Sequence, residues 1–205
     1  MLKFKYFFQQ SWLLIVASFC FGLLIAVTNA ALSEKIEQNK VDKINSTMQG
    51  LIPDANKFEF NSEFDITSAK GKKVKTNLYE ALSDANDCMG WAFNCIGPGF
   101  ADKIELIVAV DKEFMKIKGF DCIQSNETPG FGDKIKNDYY RNQFKGVPAV
   151  NLELVKMGEP AKIDSEIVAI SGATVSSEAV VKIINNSITQ VKEQMVKKGL
   201  IADGK

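Results

Sequence analysis

Seven residues toward the end of the chain, SGATVSS (Ser171–Ser177), gather four hydroxyls around one Gly and one Ala. Ser171, Thr174, Ser176 and Ser177 are each able to donate a hydrogen bond to a phosphate oxygen. A short apolar run, Ile167–Ile170, leads into them, and apolar residues at helical spacing follow. A strand, a turn and a helix in that order aim backbone N–H groups at one point. The helix N-terminus adds partial positive charge there, which suits an anion. The plain alternative is a turn in which Ser176 or Ser177 merely caps the helix. A second loop lies upstream, ETPGFGDKI (Glu127–Ile135). Its Pro129 fixes φ, while Gly130 and Gly132 admit backbone conformations closed to other residues. Such a loop can lay amides and carbonyls against a planar, polar-edged ring, or serve as an ordinary surface turn.

The composition narrows the chemistry these loops can perform. Histidine is absent, which removes Ser-His-Asp and Cys-His catalysis, His-ligated zinc and His-ligated haem together. Basic and acidic residues balance at 25 each, so no nucleic acid or polybasic membrane patch is indicated. Arg141 is the one arginine, a poor basis for a multi-Arg anion clamp. Cys20 sits in an apolar run, and Cys88, Cys95 and Cys122 match no common zinc or iron–sulfur spacing. They read as buried free thiols, with a Cys88–Cys95 disulfide as the alternative outside the cytoplasm. Asp84, Asp87, Asp111 and Asp121 read as solvated acids. No metal site and no catalytic residue is assigned. Cysteine chemistry, carboxylates, Lys, Tyr or a borrowed cofactor remain open.

The elements that must position the two loops follow from patterning. Residues Tyr6–Ser33 contain no charge, and their centre SWLLIVASFCFGLLIAV is long enough to cross a bilayer as a helix. Lys3 and Lys5 precede it, which places the N-terminus in the cytoplasm and the rest outside. A cleaved signal peptide is the rival reading; the length of the apolar run favours a retained anchor. We therefore expect a cytoplasmic N-terminus over residues 1–10, a transmembrane helix over 11–32, a solvated stalk helix and linker over 33–55, and one extracytoplasmic α+β domain over 56–205. Within that domain KFEF (Lys57–Phe60), GWAF (Gly90–Phe93) and DKIELIVAVD (Asp102–Asp111) read as strands. FMKIKGFDCIQS (Phe114–Ser125) forms a hairpin with the last of these. A short helix around Asn137–Phe144, a strand near Val150–Val155 and a strand at Ile167–Ile170 come next. Val180, Val181, Ile183, Ile184, Ile188, Val191 and Met195 then mark one face of a final helix, which Gly199 ends.

ETPGFGDKI followed by ISGATVSS and an apolar helix, behind a single anchor, resembles the FMN-binding domain family. Within it the chain is similar to the G subunits of Rnf-type ion-translocating electron-transfer complexes, with the C subunits of sodium-translocating NADH:quinone reductases as relatives. The resemblance covers nearly the whole chain. It implies FMN joined through its phosphate to Thr174, with Ser171, Gly172, Ala173, Val175, Ser176 and Ser177 around that link and the ribityl chain. It implies further that Glu127, Thr128, Gly130, Phe131 and Gly132 lie along the isoalloxazine with Lys134 close by, and that Trp91 or Phe100 shapes the pocket. Implied partners are the other membrane subunits of an Rnf-type complex, an FMN transferase during maturation, and the lipid of the cell (inner) membrane. The implied reaction moves electrons between ferredoxin and NAD, coupled to sodium or proton transport. In one respect the chain departs from the family pattern, which carries an acidic residue six positions before the flavinylated Thr; here that position is Val168. Two other functions stay open at this level. One is an anchored module holding a phosphate-bearing ligand noncovalently without redox chemistry. The other is a standalone flavoprotein in extracellular electron transfer.

Overall fold

The computed structural model describes residues 2–68 and 71–202, with side chains from residue 11 onward. Ala69 and Lys70, in the Lys-rich stretch SAKGKKVK (Ser68–Lys75), lie outside the described residues. Helix α1 runs Leu2–Leu51, so the expected anchor and stalk form one uninterrupted helix. Part of it is long and apolar enough to cross a membrane, with a mean hydropathy of 2.3 over its most apolar stretch. The chain divides into two compact units that part between Lys43 and Ile44. The second unit therefore takes in the last turns of α1, about a dozen residues before the expected domain start.

Five strands follow, β1 (Lys57–Thr67), β2 (Lys73–Leu82), β3 (Cys88–Pro98), β4 (Lys103–Val110) and β5 (Ile117–Ser125). They form one antiparallel sheet in the order β1-β2-β3-β4-β5, each paired with its neighbours in sequence. Strand β1 is longer than KFEF suggested, because ten register pairs with β2, from Lys57↔Leu82 to Thr67↔Lys73, extend the hairpin through polar residues. The region of the expected short helix is two 3₁₀ turns, Gly132–Lys136 and Asn142–Phe144, flanking α2 (Asp138–Arg141). Two short parallel strands, β6 (Glu153–Val155) and β7 (Glu166–Val168), pair with each other. Helix α3 (Thr174–Lys197) closes the fold.

Strand β4 explains the layering. All its residues after Lys103 are buried, including both members of each alternating pair. A strand buried on both faces reads as a continuous apolar run, and LIVAV (Leu106–Val110) is one. Ile104, Leu106, Val108 and Val110 face the main core with α3. Ile107 and Ala109 face the opposite side, where Met48 of α1 and Ile52 just after it cover them. The charged stretch expected to be solvated thus ends in an apolar patch, Ile44, Met48, Leu51 and Ile52, that closes the back of the sheet.

On the front face α3 buries Val180, Val181, Ile183, Ile184, Ile188, Val191 and Met195, as their spacing predicts. It ends where Gly199 takes a φ of +71° and the Leu200 N–H reaches the Met195 carbonyl at 3.0 Å. That six-to-one bond is the Schellman arrangement, which needs a residue tolerant of positive φ. Side-chain amides tie irregular segments down: Asn185 of α3 bonds both backbone groups of Leu152, and Gln190 does the same for Thr67.

Candidate functional site

Three segments meet at the N-terminus of α3: the β3–β4 turn, the loop after β5, and the turn after β7. Phe100, Thr128, Phe131, Gly132, Gly172, Ala173, Thr174, Val175 and Ser176 line a cleft of about 500 Å³ between them. That size is within the range of small-molecule sites. Phe100 and Phe131 keep 66% and 58% of their surface exposed, and Val175 is exposed beside them. Apolar side chains left open around one cleft suit a flat, partly apolar ligand.

The helix end supplies the anion site. Ala173 is the N-cap of α3, and no side chain caps the helix. The leading amides are therefore left for a ligand. Gly172 adopts a φ of +78°, a turn conformation that favours glycine and delivers the chain into the helix. Thr174 is the first residue of α3 and half-buried at the cleft wall.

The four hydroxyls of SGATVSS do not play one role. Ser177 is fully buried; it donates to the Ala173 carbonyl and accepts the Ile170 N–H, both at 3.0 Å. It locks the turn from inside, its proton held by the Ala173 carbonyl. Ser176 lines the cleft but donates its proton to Glu127 Oε2 at 2.5 Å. A hydroxyl has one proton to give, so Ser176 is not a phosphate donor either. Thr174 and the exposed Ser171 keep hydroxyls that no hydrogen bond engages among the described residues.

Glu127 stands behind the cleft rather than along it. It is 4% exposed, and its Oε1 accepts the N–H groups of Phe100 at 2.8 Å and Ala101 at 3.1 Å. With Ser176 on Oε2, one carboxylate fastens the β3–β4 turn, the ETPG loop and α3 together. Three donors on a buried carboxylate satisfy it far better than burial alone would allow. The space is made by two glycines. A Cβ on Gly132 would lie 2.6 Å from Ser176 Oγ and 2.7 Å from Glu127 Oε2, and one on Gly99 would collide with Glu127 Oε1.

Of the remaining expected residues, Thr128, Phe131 and Gly132 line the cleft. Gly130 makes the exposed turn at φ +78°. Lys134 sets its ammonium 5.9 Å from the centre of the Phe131 ring, a cation–π contact that supports that ring. Trp91 does not shape the cleft: it is buried, donating its indole N–H to the Lys112 carbonyl, while Phe100 takes the expected role.

Sequence reading missed the supports. Tyr140, Phe120 and Phe144 form a mutual edge-to-face cluster, and Tyr140 donates its hydroxyl to the Ser177 carbonyl at 3.0 Å. Burial pushes its phenol well above the ordinary value. Gln143 bonds both backbone groups of Val168. Cys88 and Cys95 are free thiols. Among the described residues, no group of three or more His, Cys, Asp or Glu side chains is placed to hold a metal.

An uncapped helix end opening into a cleft with exposed aromatic walls defines a site for a phosphate-bearing aromatic cofactor, and comparison with known proteins specifies it. Residues 99–189, which contain every cleft-lining residue, match the sequence model of the FMN-binding domain. The chain is 32% identical over 178 residues to the G subunit of the proton-translocating ferredoxin:NAD(+) oxidoreductase complex of Clostridium ljungdahlii, covering 87% of this chain and 88% of that one. It is 30% identical to the G subunit of the Na(+)-translocating ferredoxin:NAD(+) oxidoreductase complex of Acetobacterium woodii, covering 94% and 95%. The crystal structure of Shewanella oneidensis NqrC superposes with a TM-score of 0.58 over 72% of each chain at 23% identity, a likeness of fold. The chain belongs to the family of FMN-binding G subunits of ion-translocating oxidoreductase complexes.

Proposed function

We propose that this chain carries FMN in the cleft, joined through its phosphate to the hydroxyl of Thr174, and relays electrons within an Rnf-type ferredoxin:NAD oxidoreductase. One observation carries the reading: Thr174 opens the uncapped α3, its hydroxyl unengaged, on the wall of the cleft between Phe100 and Phe131. Bound FMN supplies one- and two-electron chemistry through its ring system. The protein's own residues bind and orient. The leading amides of α3 with Thr174 and Ser171 hold the phosphate, Phe100, Phe131 and Val175 flank the ring, and Gly132 lets the loop approach closely. No side chain has to move a proton for such a role, which suits a chain without histidine.

The apolar stretch of α1 anchors the chain in the cell membrane, with the N-terminus in the cytoplasm behind Lys3 and Lys5 and the domain on the outer face. Membrane lipid around that helix, the other subunits of the complex, and an FMN transferase during maturation are its partners. The coupled ion is sodium or the proton; the names of the two relatives divide between them. Val168, where the family carries an acid, favours a second reading in which FMN sits in the same cleft without the covalent link.

Flavin fluorescence of the denatured polypeptide on a gel tests the link, with wild type and Thr174→Ala expressed beside the FMN transferase. Fluorescence present in wild type and absent in the variant is expected. A dark wild-type band rejects covalent attachment. FMN released from the native protein then supports the noncovalent form, and its absence leaves a binding module without redox chemistry.

A further inference from the structure

The bond between Ser176 and Glu127 has a fixed direction. Glu127 Oε1 takes the N–H groups of Phe100 and Ala101, and Oε2 takes the Ser176 hydroxyl, so the carboxylate acts as an acceptor on both oxygens. Gly99 and Gly132 close around it, leaving the carboxylate no room to turn away. A serine hydroxyl has one proton and two lone pairs. With its proton directed inward, Ser176 meets any ligand in the cleft as an acceptor. An esterified phosphate offers acceptors only and is mismatched to it. A flavin carries two kinds of donor away from the phosphate, the imide N–H of the ring and the ribityl hydroxyls.

We propose that Ser176 accepts a hydrogen bond from one of these flavin donors, and that Glu127 is the positioning residue that fixes this polarity. The proposal rests on the FMN reading above and divides the SGATVSS segment by ligand part. Thr174, Ser171 and the leading amides serve the phosphate, and Ser176 reads the body of the flavin. Glutamine at position 127 would invert the contact. Its amide oxygen still accepts from Phe100 and Ala101, but its NH₂ faces Ser176, whose proton then turns into the cleft and opposes the flavin donor.

The full-length chain, purified in detergent from a host without FMN transferase, is titrated with FMN, riboflavin and lumiflavin, following flavin fluorescence. Glu127→Gln and Ser176→Ala are each expected to weaken riboflavin and FMN by the same factor, about ten-fold. Adding Glu127→Gln to Ser176→Ala is expected to change nothing further, which a purely structural role for Glu127 would not produce. An equal loss with lumiflavin, which lacks the ribityl chain, marks the ring imide as the donor; unchanged lumiflavin binding marks a ribityl hydroxyl, and both uphold the proposal. Weakening of FMN with riboflavin unaffected, or no change in either, overturns it. Should Glu127→Gln melt before titration, Ser176→Ala decides alone through the same comparison of FMN with riboflavin. Wild-type protein that binds neither flavin overturns this proposal, while the gel fluorescence of transferase-loaded protein decides the FMN reading separately.

Discussion

Gln143 grips Val168 by both backbone groups, accepting its N–H at 2.8 Å and donating to its carbonyl at 3.2 Å. The side chain acts as a one-residue strand on the open edge of β7, whose other edge pairs with β6. Val168 stands six residues before Thr174, so the grip sets where the turn into α3 begins.

Replacing Gln143 with Leu removes both bonds and leaves two backbone groups without partners. A cost of about 2 kcal/mol is expected, two ordinary hydrogen bonds' worth. Urea denaturation should show a lower midpoint with an unchanged slope. A midpoint within error of wild type would mean that water replaces the amide.

Gly132→Ala places a methyl where Ser176 and Glu127 meet, 2.6 and 2.7 Å away. The three-way junction must open, at a cost of about 1–3 kcal/mol as for other overpacked sites. Flavin content per purified chain should fall with it. Gly130→Ala is the control: nothing crowds that position, and its cost is confined to the strained φ of +78°.

Much of this architecture was legible in the sequence, and the exceptions share a cause. Helical periodicity located α3, and alternation located β4 and β5, because each has a buried face to advertise. The covering of the sheet by the end of α1 was not legible, since Ile44, Met48 and Ile52 lie among charges and look like a solvated stalk. The uninterrupted apolar run LIVAV (Leu106–Val110) was the available signal: a strand apolar on both faces needs two covers. In the site, the identity of the loops was readable but the roles of their hydroxyls were not. Whether Ser176 points at a ligand or at Glu127 depends on a contact across 49 residues, which no local pattern encodes.

Burial pushes the Cys95 thiol from 9.0 up to about 12, opposed in part by a hydrogen bond from Ser187. The folded state then keeps a proton that the unfolded chain releases above its own value. Stability from this group is complete below pH 9 and declines as pH rises toward 12, by at most about 4 kcal/mol. Denaturation midpoints measured from pH 8 to 11 should fall more steeply for wild type than for Cys95→Ala, whatever the offset between them. Parallel curves would show that the thiol is solvated.

Tyr140→Phe deletes the bond to the Ser177 carbonyl and keeps the aromatic cluster. A loss of about 1 kcal/mol in denaturant stability is expected, with flavin affinity changed by less than for Gly132→Ala. A larger effect on flavin than on stability would place Tyr140 in the site itself.

The sheet joins only strands adjacent in the chain, so each hairpin can close soon after it is synthesised. The junction at Glu127 obeys a different order. It reaches 27 residues back to Phe100 and 49 forward to Ser176, and such closures carry a larger entropic cost. The cleft therefore exists only after the last helix has docked. Flavin loading becomes a report on completed folding, and a truncated or stalled chain with a finished sheet would remain colourless.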